Sequence, residues 1–272
     1  MRDFRQASIF VTPAAIIAIC ISALPLLYIF YTSVEGPDFS LGSYISIIKS
    51  TLFHRTLSTT MVIAVSSSAL SLLIGYVIAL HLARQPAKRR AFLLILVLLP
   101  FWTSVLVKCY AFTIILGRTG IINSALDAIS GGQLSMSLLL NRTGVLIGMT
   151  NYLTPFVVFP VLASLLAIDP AVYRSASIMG ARPARIFWTV TLPMSVPGII
   201  AALASVFVMA LSFFIIPALL GGPRDAMLSN LVDFYTREAL DWNTAAAIGM
   251  ILLGMTLIVV GTVYARNRRA AL

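Results

Sequence analysis

The amino-acid sequence predicts an all-α integral membrane protein with six transmembrane helices. Of its 272 residues, 60% are hydrophobic and only 10% are charged, and the mean hydropathy is +0.99. Soluble domains are far less apolar. Six apolar runs meet or approach the roughly 20 residues that a helix needs to cross about 30 Å of hydrocarbon. Because lipid offers the backbone no hydrogen-bond partners, runs of this length are expected to be helical.

The six runs follow one another without a linker or a low-complexity tract, so we expect a single membrane domain over residues 1–272. The first run is longer than the core of a signal peptide, and no small-x-small cleavage site follows it, which favours an uncleaved first span. The predicted spans are about 8–31, 59–82, 91–116, 144–167, 198–220 and 244–265.

Basic residues orient these spans. With the N-terminus in the cytoplasm, the cytoplasmic segments carry about twice as many Lys and Arg residues as the outer segments, and most of the acidic residues lie outside. This bias predicts that both termini are cytoplasmic. The bases lie at span ends, which accounts for the pI near 10.1 without a nucleic-acid partner.

The sequence lacks the motifs of several function classes. It has no Gly-x-x-x-x-Gly-Lys-Ser/Thr phosphate loop, no metal-ligand spacing, and no pair of catalytic residues that can be placed at one membrane depth. The predicted spans contain no Asp or Glu, which argues against a proton- or sodium-coupled carrier. We therefore expect neither an enzyme nor a metal or cofactor site. We expect the chain to be a passive pore, a scaffold, or one subunit of an assembly whose energy source lies in other subunits.

Lys108 is the only Lys or Arg within the predicted spans. A lysine in contact with lipid is costly, so the side chain is expected to face protein or water. Two interpretations stay open at this point. Lys108 either lines a polar pathway or extends its ammonium to the outer membrane surface.

Residues 168–197 form a polar, basic and helix-prone insert between the fourth and fifth spans. A simple reversal of direction needs only a few residues, so an insert of this length is expected to dock against something outside the membrane. Asp169 and Pro170 predict the start of a helix, Gly180 predicts its end, and Pro183 predicts the start of a second short helix.

Side chains of this insert divide into two groups. Tyr173, Ala176 and Ala181 are expected to form a small apolar surface. Arg174, Arg182 and Arg185 are expected to stay solvated.

The spacing of this insert carries a resemblance. Gly180-Ala181, then Phe187 and then Pro193 at intervals of six residues, is similar to the coupling loop of bacterial ATP-binding-cassette importer permeases. Further motifs resemble permeases of the spermidine/putrescine type. The motif at 98–104 resembles the first of the two permeases that such importers carry. The further motifs read Leu-Leu-Pro-Phe-Trp-Thr-Ser (98–104), Gly-Met-Thr-Asn-Tyr-Leu-Thr-Pro-Phe (148–156), Leu-Pro-Met-Ser-Val-Pro-Gly (192–198), Pro-Ala-Leu-Leu-Gly-Gly (217–222) and Asp-Trp (241–242).

The resemblance implies a type I importer fold in a bacterial inner membrane and a set of partners. These are two ATPase subunits that bind ATP and Mg, a second permease in a heterodimer, a periplasmic solute-binding protein and membrane lipid. It implies that the coupling loop acts through Asp169, Tyr173, Arg174, Ala176, Gly180, Ala181, Arg182, Phe187 and Pro193. The third to fifth spans line the pathway in relatives, which makes candidates of Trp102, Lys108, Tyr110, Asn151, Tyr152 and Phe213.

One position departs from the family pattern. The loop usually carries Glu six residues before its glycine, and Arg174 stands there in this chain. The resemblance implies a polyamine or a related amine or amino-acid-like solute. A basic pathway with Lys108 fits an anionic or zwitterionic solute as well. The alternative function is a channel or scaffold subunit that is not coupled to an ATPase.

Overall fold

The computed structural model describes residues 2–35, 39–130 and 136–270, and over these ranges it contains helices and no strands. The predicted all-α class is confirmed. The helices are α1 (Arg2–Ser33), α2 (Gly42–Lys49), α3 (Thr51–Ala83), α4 (Ala87–Trp102), α5 (Val105–Leu116), α6 (Ile121–Ser130), α7 (Arg142–Leu166), α8 (Pro170–Ile178), α9 (Pro183–Ile186), α10 (Leu192–Leu211), α11 (Ile215–Leu220), α12 (Leu228–Arg237) and α13 (Trp242–Ala270).

Five helical stretches of the described residues are long and apolar enough to cross a membrane. The predicted first span corresponds to a shorter apolar stretch, Ile19–Ser33, within α1. The five longer stretches are Thr51–Ala83, Val105–Ser130, Arg142–Leu166, Pro183–Leu211 and Trp242–Val263.

The predicted third span, 91–116, is wrong as a single helix. The extended residues Thr103 and Ser104 separate α4 from α5. Pro100 lies near the end of α4, and its ring disfavours a regular helix around it. The Thr103 hydroxyl donates a hydrogen bond of 2.7 Å to the Pro100 carbonyl, which satisfies that carbonyl where the helix stops.

The predicted fifth span, 198–220, is also divided. A short break that contains Phe213 and Phe214 separates α10 from α11. Side chains that follow α11 satisfy the carbonyls of this break. The Ser229 hydroxyl donates to the Phe213 carbonyl over 2.6 Å, and the Asn230 amide donates to the Phe214 carbonyl over 3.1 Å. Interrupted membrane helices are tolerated where such partners exist.

The insert expected over 168–197 is shorter than the sequence suggests. Pro183 does start a helix, but this helix continues through a π-helical turn, Phe187–Thr191, directly into α10. The Leu192 N–H donates to the carbonyl of the first residue of that turn, a wider ring than in an α-helix. Pro193 explains the widening, because a proline has no N–H and its ring crowds the preceding turn.

The chain divides into two compact units, residues 1–54 with 231–254 and residues 55–230 with 255–272. In the first unit, Glu35 accepts hydrogen bonds of 2.8 Å and 2.9 Å from the backbone N–H and the hydroxyl of Ser43 near the start of α2. These bonds favour the carboxylate and lower the pKa of Glu35.

The core of the second unit lies between α7 and α10, which share the most extensive helix–helix packing. On α10, Ala202, Val206 and Ala210 recur at four-residue intervals and are fully buried. The same interval on α7 places a second stripe on one face of that helix. This stripe consists of Val145, Met149, Leu153, Val157 and Val161, all fully buried.

Gly198 allows the close approach of α7 and α10. A Cβ atom at this position would lie 2.6 Å from the Pro160 carbonyl oxygen and 2.6 Å from the Ser164 Cβ. Small residues at such crossings let membrane helices pack closely.

We expect Gly198→Ala to destabilise the protein by about 1–3 kcal/mol, because backbone atoms must move to admit the methyl group. Gly254→Ala is the matched control, since nothing lies within 4 Å of a Cβ there. Thermal unfolding in detergent measures both variants. Equal melting temperatures would contradict the crossing described above.

Candidate functional site

The segment 168–182, which we call the docking loop, is built by local signals in its sequence. The Asp169 carboxylate accepts a hydrogen bond of 2.7 Å from the Ala171 N–H and caps α8, and Pro170 occupies its first turn. Both features were predicted from the sequence. They satisfy the exposed N–H groups at the start of a helix and fix its first residue.

The end of α8 is a Schellman turn. Gly180 has a φ of +76°, a backbone conformation that residues other than Gly and Asn rarely adopt. The Gly180 N–H donates to the Ser177 carbonyl over 3.0 Å, and the Ala181 N–H donates to the Ala176 carbonyl over 3.1 Å. The predicted helix end at Gly180 is confirmed, and this bond pattern explains why a glycine precedes Ala181.

One side of the docking loop packs against the membrane helices. Ala176 is buried and Tyr173 is half-buried. Just beyond the loop, the Phe187 ring meets the Tyr76 ring of α3 edge to face at 6.2 Å. The Tyr76 hydroxyl lies 3.1 Å from the Ser195 hydroxyl of α10. Phe187 is therefore attached to both α3 and α10.

The opposite side of the docking loop is open. Ile178 and Met179 are 87% and 80% exposed, although both side chains are apolar. Arg174, Arg182 and Arg185 are also exposed, and within the described part of the chain none of the three pairs with a carboxylate. The loop and the turn that follows it thus present two exposed apolar side chains and three exposed positive charges.

Three of the six pathway candidates meet around one ring. The Lys108 ammonium lies 5.2 Å from the centroid of the Tyr152 ring, within the range of a cation–π interaction. Phe213 packs on the same ring at 4.8 Å, edge to face. Phe156 lies 5.8 Å from Tyr152, and Phe101 lies 5.4 Å from Phe156. We call these five residues the aromatic cluster.

Both helix breaks supply the aromatic cluster. Phe101 precedes the break between α4 and α5, and Lys108 lies in the first turn of α5, where its N–H donates to the Ser104 carbonyl over 3.1 Å. Phe213 belongs to the break between α10 and α11. Tyr152 and Phe156 lie one turn apart on helix α7. Discontinuous helices are a recurring way of building solute sites inside membranes.

The other three pathway candidates lie elsewhere. Trp102 is 84% exposed and Tyr110 is also exposed, and neither makes a ring contact among the described residues. Asn151 points to a different face of α7, where it lines an apolar groove of about 940 Å³ between α3, α4 and α7. His81 lies at the α3 side of this groove.

The comparisons with known proteins identify the class of this chain. Residues 71–269 match the family of the binding-protein-dependent transport system inner membrane component. The chain belongs to this family. It is a permease subunit of an ATP-driven importer and an inner-membrane protein, so the alternative of an uncoupled channel or scaffold is not supported.

Individual relatives agree with the family assignment. The permease is 29% identical over 224 residues to the spermidine/putrescine transport system permease protein PotB of Escherichia coli, covering 81% of each chain. It is 32% identical over 196 residues to PotB of Haemophilus influenzae, covering 71% of the permease and 68% of the relative.

The fold of the permease is that of a solved type I importer. It matches a chain of the crystal structure of a bacterial alginate ABC transporter in complex with alginate pentasaccharide-bound periplasmic protein. The TM-score is 0.83 with 20% identity, over 99% of the permease and 96% of that chain. The expected type I fold is confirmed.

Sequence reasoning missed several residues of the permease. Ile178 and Met179 are absent from the predicted loop residues, although two large apolar residues directly before the glycine that ends a helix, in a basic loop outside the predicted spans, signal an uncovered surface. Phe101 and Phe156 were also missed. Phe101 directly precedes Trp102, and Phe156 lies one helical turn after Tyr152, in the motifs quoted above. Only the packing of α4 on α7 brings the two rings together.

Proposed function

We propose that this permease moves a polyamine, or a related amine or amino-acid-like solute, from the periplasm to the cytoplasm. Its energy comes from ATP hydrolysis in two partner ATPase subunits, which bind the ATP and Mg, while this chain has no nucleotide site of its own. A second permease pairs with it, a periplasmic solute-binding protein delivers the solute, and both termini are cytoplasmic. The names of the relatives and the arginine distribution support this assignment.

The observation that carries the coupling proposal is the apolar tip of the docking loop. Ile178 and Met179 project from a capped helix with no partner among the described residues, in a chain whose positive charge marks this side as cytoplasmic. Exposed apolar side chains with a polar rim are typical of protein docking sites. An ATPase groove with an apolar floor and acidic edges is the matching partner.

Motion of the ATPase reaches the pathway through continuous helix. The segment from Pro183 through the π-helical turn to Leu211 is uninterrupted, and it ends next to Phe213. A displacement of the docking loop therefore shifts the helix that ends two residues before Phe213, whose ring packs on Tyr152. Phe187 and Tyr76 carry the same displacement to α3. Opening and closing of the aromatic cluster is the proposed response to ATP.

Two measurements test this function. Purification in mild detergent is expected to recover a second permease and an ATPase with this chain. Proteoliposomes that contain the purified assembly and its binding protein are expected to accumulate labelled spermidine or putrescine only when ATP reaches the ATPase. Uptake without ATP, or purification without any ATPase, would contradict the proposal. Uptake of an acidic solute in place of amines would overturn the substrate class alone.

The reversed charge at position 174 gives a smaller prediction. If the partner groove has an acid opposite Arg174, Arg174→Glu weakens the assembly even though it restores the residue usual in the family. Exposed charge pairs contribute about 0–1 kcal/mol, so we expect a reduction of up to about fivefold in ATPase co-purification and transport rate. Unchanged or faster transport would show that no such acid exists.

A further inference from the structure

We propose that the aromatic cluster is a binding site for an organic ammonium group and that the Lys108 ammonium occupies it at rest. The transported amine takes this place by displacing Lys108 from the Tyr152 ring. This inference rests on the proposed function for the identity of the solute, and it adds the site and the competing group. In this proposal the Lys108 ammonium occupies the site whenever no transported amine is bound.

The geometry of the rings supports a cation site. Lys108 lies over the face of Tyr152, where the ring quadrupole is negative, at 5.2 Å from the centroid. Phe213 meets Tyr152 at an interplanar angle of 70°, and Phe101 meets Phe156 at 77°. Edge-to-face packing of this kind keeps ring faces available to a cation while each ring is held by its neighbour.

Lys108 has no carboxylate partner, the usual partner of a lysine inside a membrane protein, among the described residues. The predicted spans contain no Asp or Glu, and the two ion pairs of the described residues, Arg142 with Asp225 and Arg237 with Asp233, do not include Lys108. Its side chain is only half-exposed. An ammonium that loses water without gaining a carboxylate is stabilised here by an aromatic face.

The same environment suits a transported amine. A primary or secondary ammonium has the charge and size of the lysine head group, so the ring that holds Lys108 can hold the solute. The solute ammonium and the Lys108 ammonium repel each other when both are at the same ring. The two groups therefore compete for the face of Tyr152. A site without a carboxylate releases a polycation easily, and passage through a pathway requires such release.

The break between α4 and α5 lets Lys108 leave the ring. Lys108 lies in the first turn of α5, four residues after Ser104, and its long side chain can swing away without unwinding a helix. Phe213 belongs to the other break, at the end of the segment that starts at the docking loop. ATP-driven movement of that segment therefore alters the cluster as Lys108 is displaced.

Direct binding to the assembled transporter tests this inference. The complex with its ATPase and second permease is placed in lipid nanodiscs without the binding protein, and binding of labelled spermidine is measured with tetramethylammonium as competitor. Lys108→Met is expected to bind spermidine about tenfold more tightly than the wild type, because the competing ammonium is gone. Lys108→Arg, which keeps a cation, is expected to show no gain.

Changes at Tyr152 connect the gain to the ring. In the Lys108→Met background, Tyr152→Leu is expected to remove the gain, whereas Tyr152→Phe, which keeps an aromatic face, retains it. Thermal unfolding and ATPase co-purification check that each variant is folded and assembled. No gain in Lys108→Met, or a gain that survives Tyr152→Leu in an assembled complex, would overturn the inference.

The anion alternative has its own outcome. If the wild type binds labelled glutarate and Lys108→Met loses that binding, Lys108 is an anion ligand and the inference fails. Failure of the proposed solute class is a separate result, because it is measured as uptake by the wild type. A wild type that imports spermidine while Lys108→Met shows no gain overturns the inference and leaves the proposed solute class unaffected. A gain in Lys108→Met beside a wild type that imports no amine contradicts only the solute class.

Discussion

The double substitution Ile178→Glu with Met179→Glu is expected to abolish ATP-driven transport and ATPase co-purification while leaving the permease folded. Both side chains are almost fully exposed within this chain, so their replacement removes no packing of the permease itself. In a docked complex each apolar side chain contributes about 1.5–3 kcal/mol when buried. Loss of both reduces affinity by about a hundredfold or more, before any cost of burying two carboxylates.

Ile129→Glu is the matched control for this prediction. Ile129 is 86% exposed, close to the 87% of Ile178, but it lies near the end of the stretch Val105–Ser130, between the predicted third and fourth spans and therefore at the membrane surface opposite the docking loop. It should leave ATPase co-purification at the wild-type level. Retained co-purification in the double variant, or an equal loss in Ile129→Glu, would show that the tip of the docking loop does not bind the ATPase.

Gly180→Trp is the second change with a large expected effect. No atom lies within 4 Å of a Cβ at this position, so the indole would project from the tip toward the partner. The positive φ adds strain of about 1–2 kcal/mol for a side chain in the left-handed region. We expect the variant to insert into the membrane and to lose both ATPase binding and transport.

Gly180→Asn separates the two causes. Asparagine tolerates the left-handed conformation and has a small side chain, so it should retain most of the assembly and transport. Solute-stimulated ATPase activity at the wild-type level in Gly180→Trp would exclude close approach of a partner at this turn. Loss of transport in both variants would indicate that the position accepts no side chain at all.

The sequence predicted those features that depend on neighbouring residues. Asp169 and Pro170 start α8 and Gly180 ends it because capping and backbone conformation are decided locally. Apolar runs of sufficient length likewise predicted the helical fold, since the membrane leaves the backbone few alternatives. These predictions needed no knowledge of distant contacts.

The helix breaks could not be predicted in the same way. Apolar runs lie on both sides of each break, and the short polar residues at the breaks, Thr103, Ser104 and Ser212, do not mark an interruption, because Ser66, Ser67 and Ser68 lie inside the unbroken helix α3. Pro100 marks the first break only approximately. The second break is stabilised by Ser229 and Asn230, which lie well beyond it in the chain, and only the folded structure brings them to the open carbonyls.

The pathway candidates divide for a related reason. Lys108, Tyr152 and Phe213 were selected by residue type and by the spans that line the pathway in relatives. Their contact depends on how α5 and the break between α10 and α11 pack against α7. Trp102 and Tyr110 satisfy the same criteria but lie on exposed surfaces. Helical periodicity alone does not say which face of a nearly uniform apolar helix meets its neighbours.

Site-specific photo-crosslinking from position 179 in native membranes shows whether the docking loop contacts the ATPase. A benzophenone amino acid replaces Met179, which is exposed and directly precedes Gly180, the glycine that ends α8. We expect a covalent adduct with an ATP-binding subunit, whose yield changes when ATP is trapped in the complex, and no such adduct from the same probe at Ile129. An assembled transporter that gives no adduct with the ATPase from position 179, or equal adducts from both positions, would contradict docking through this loop.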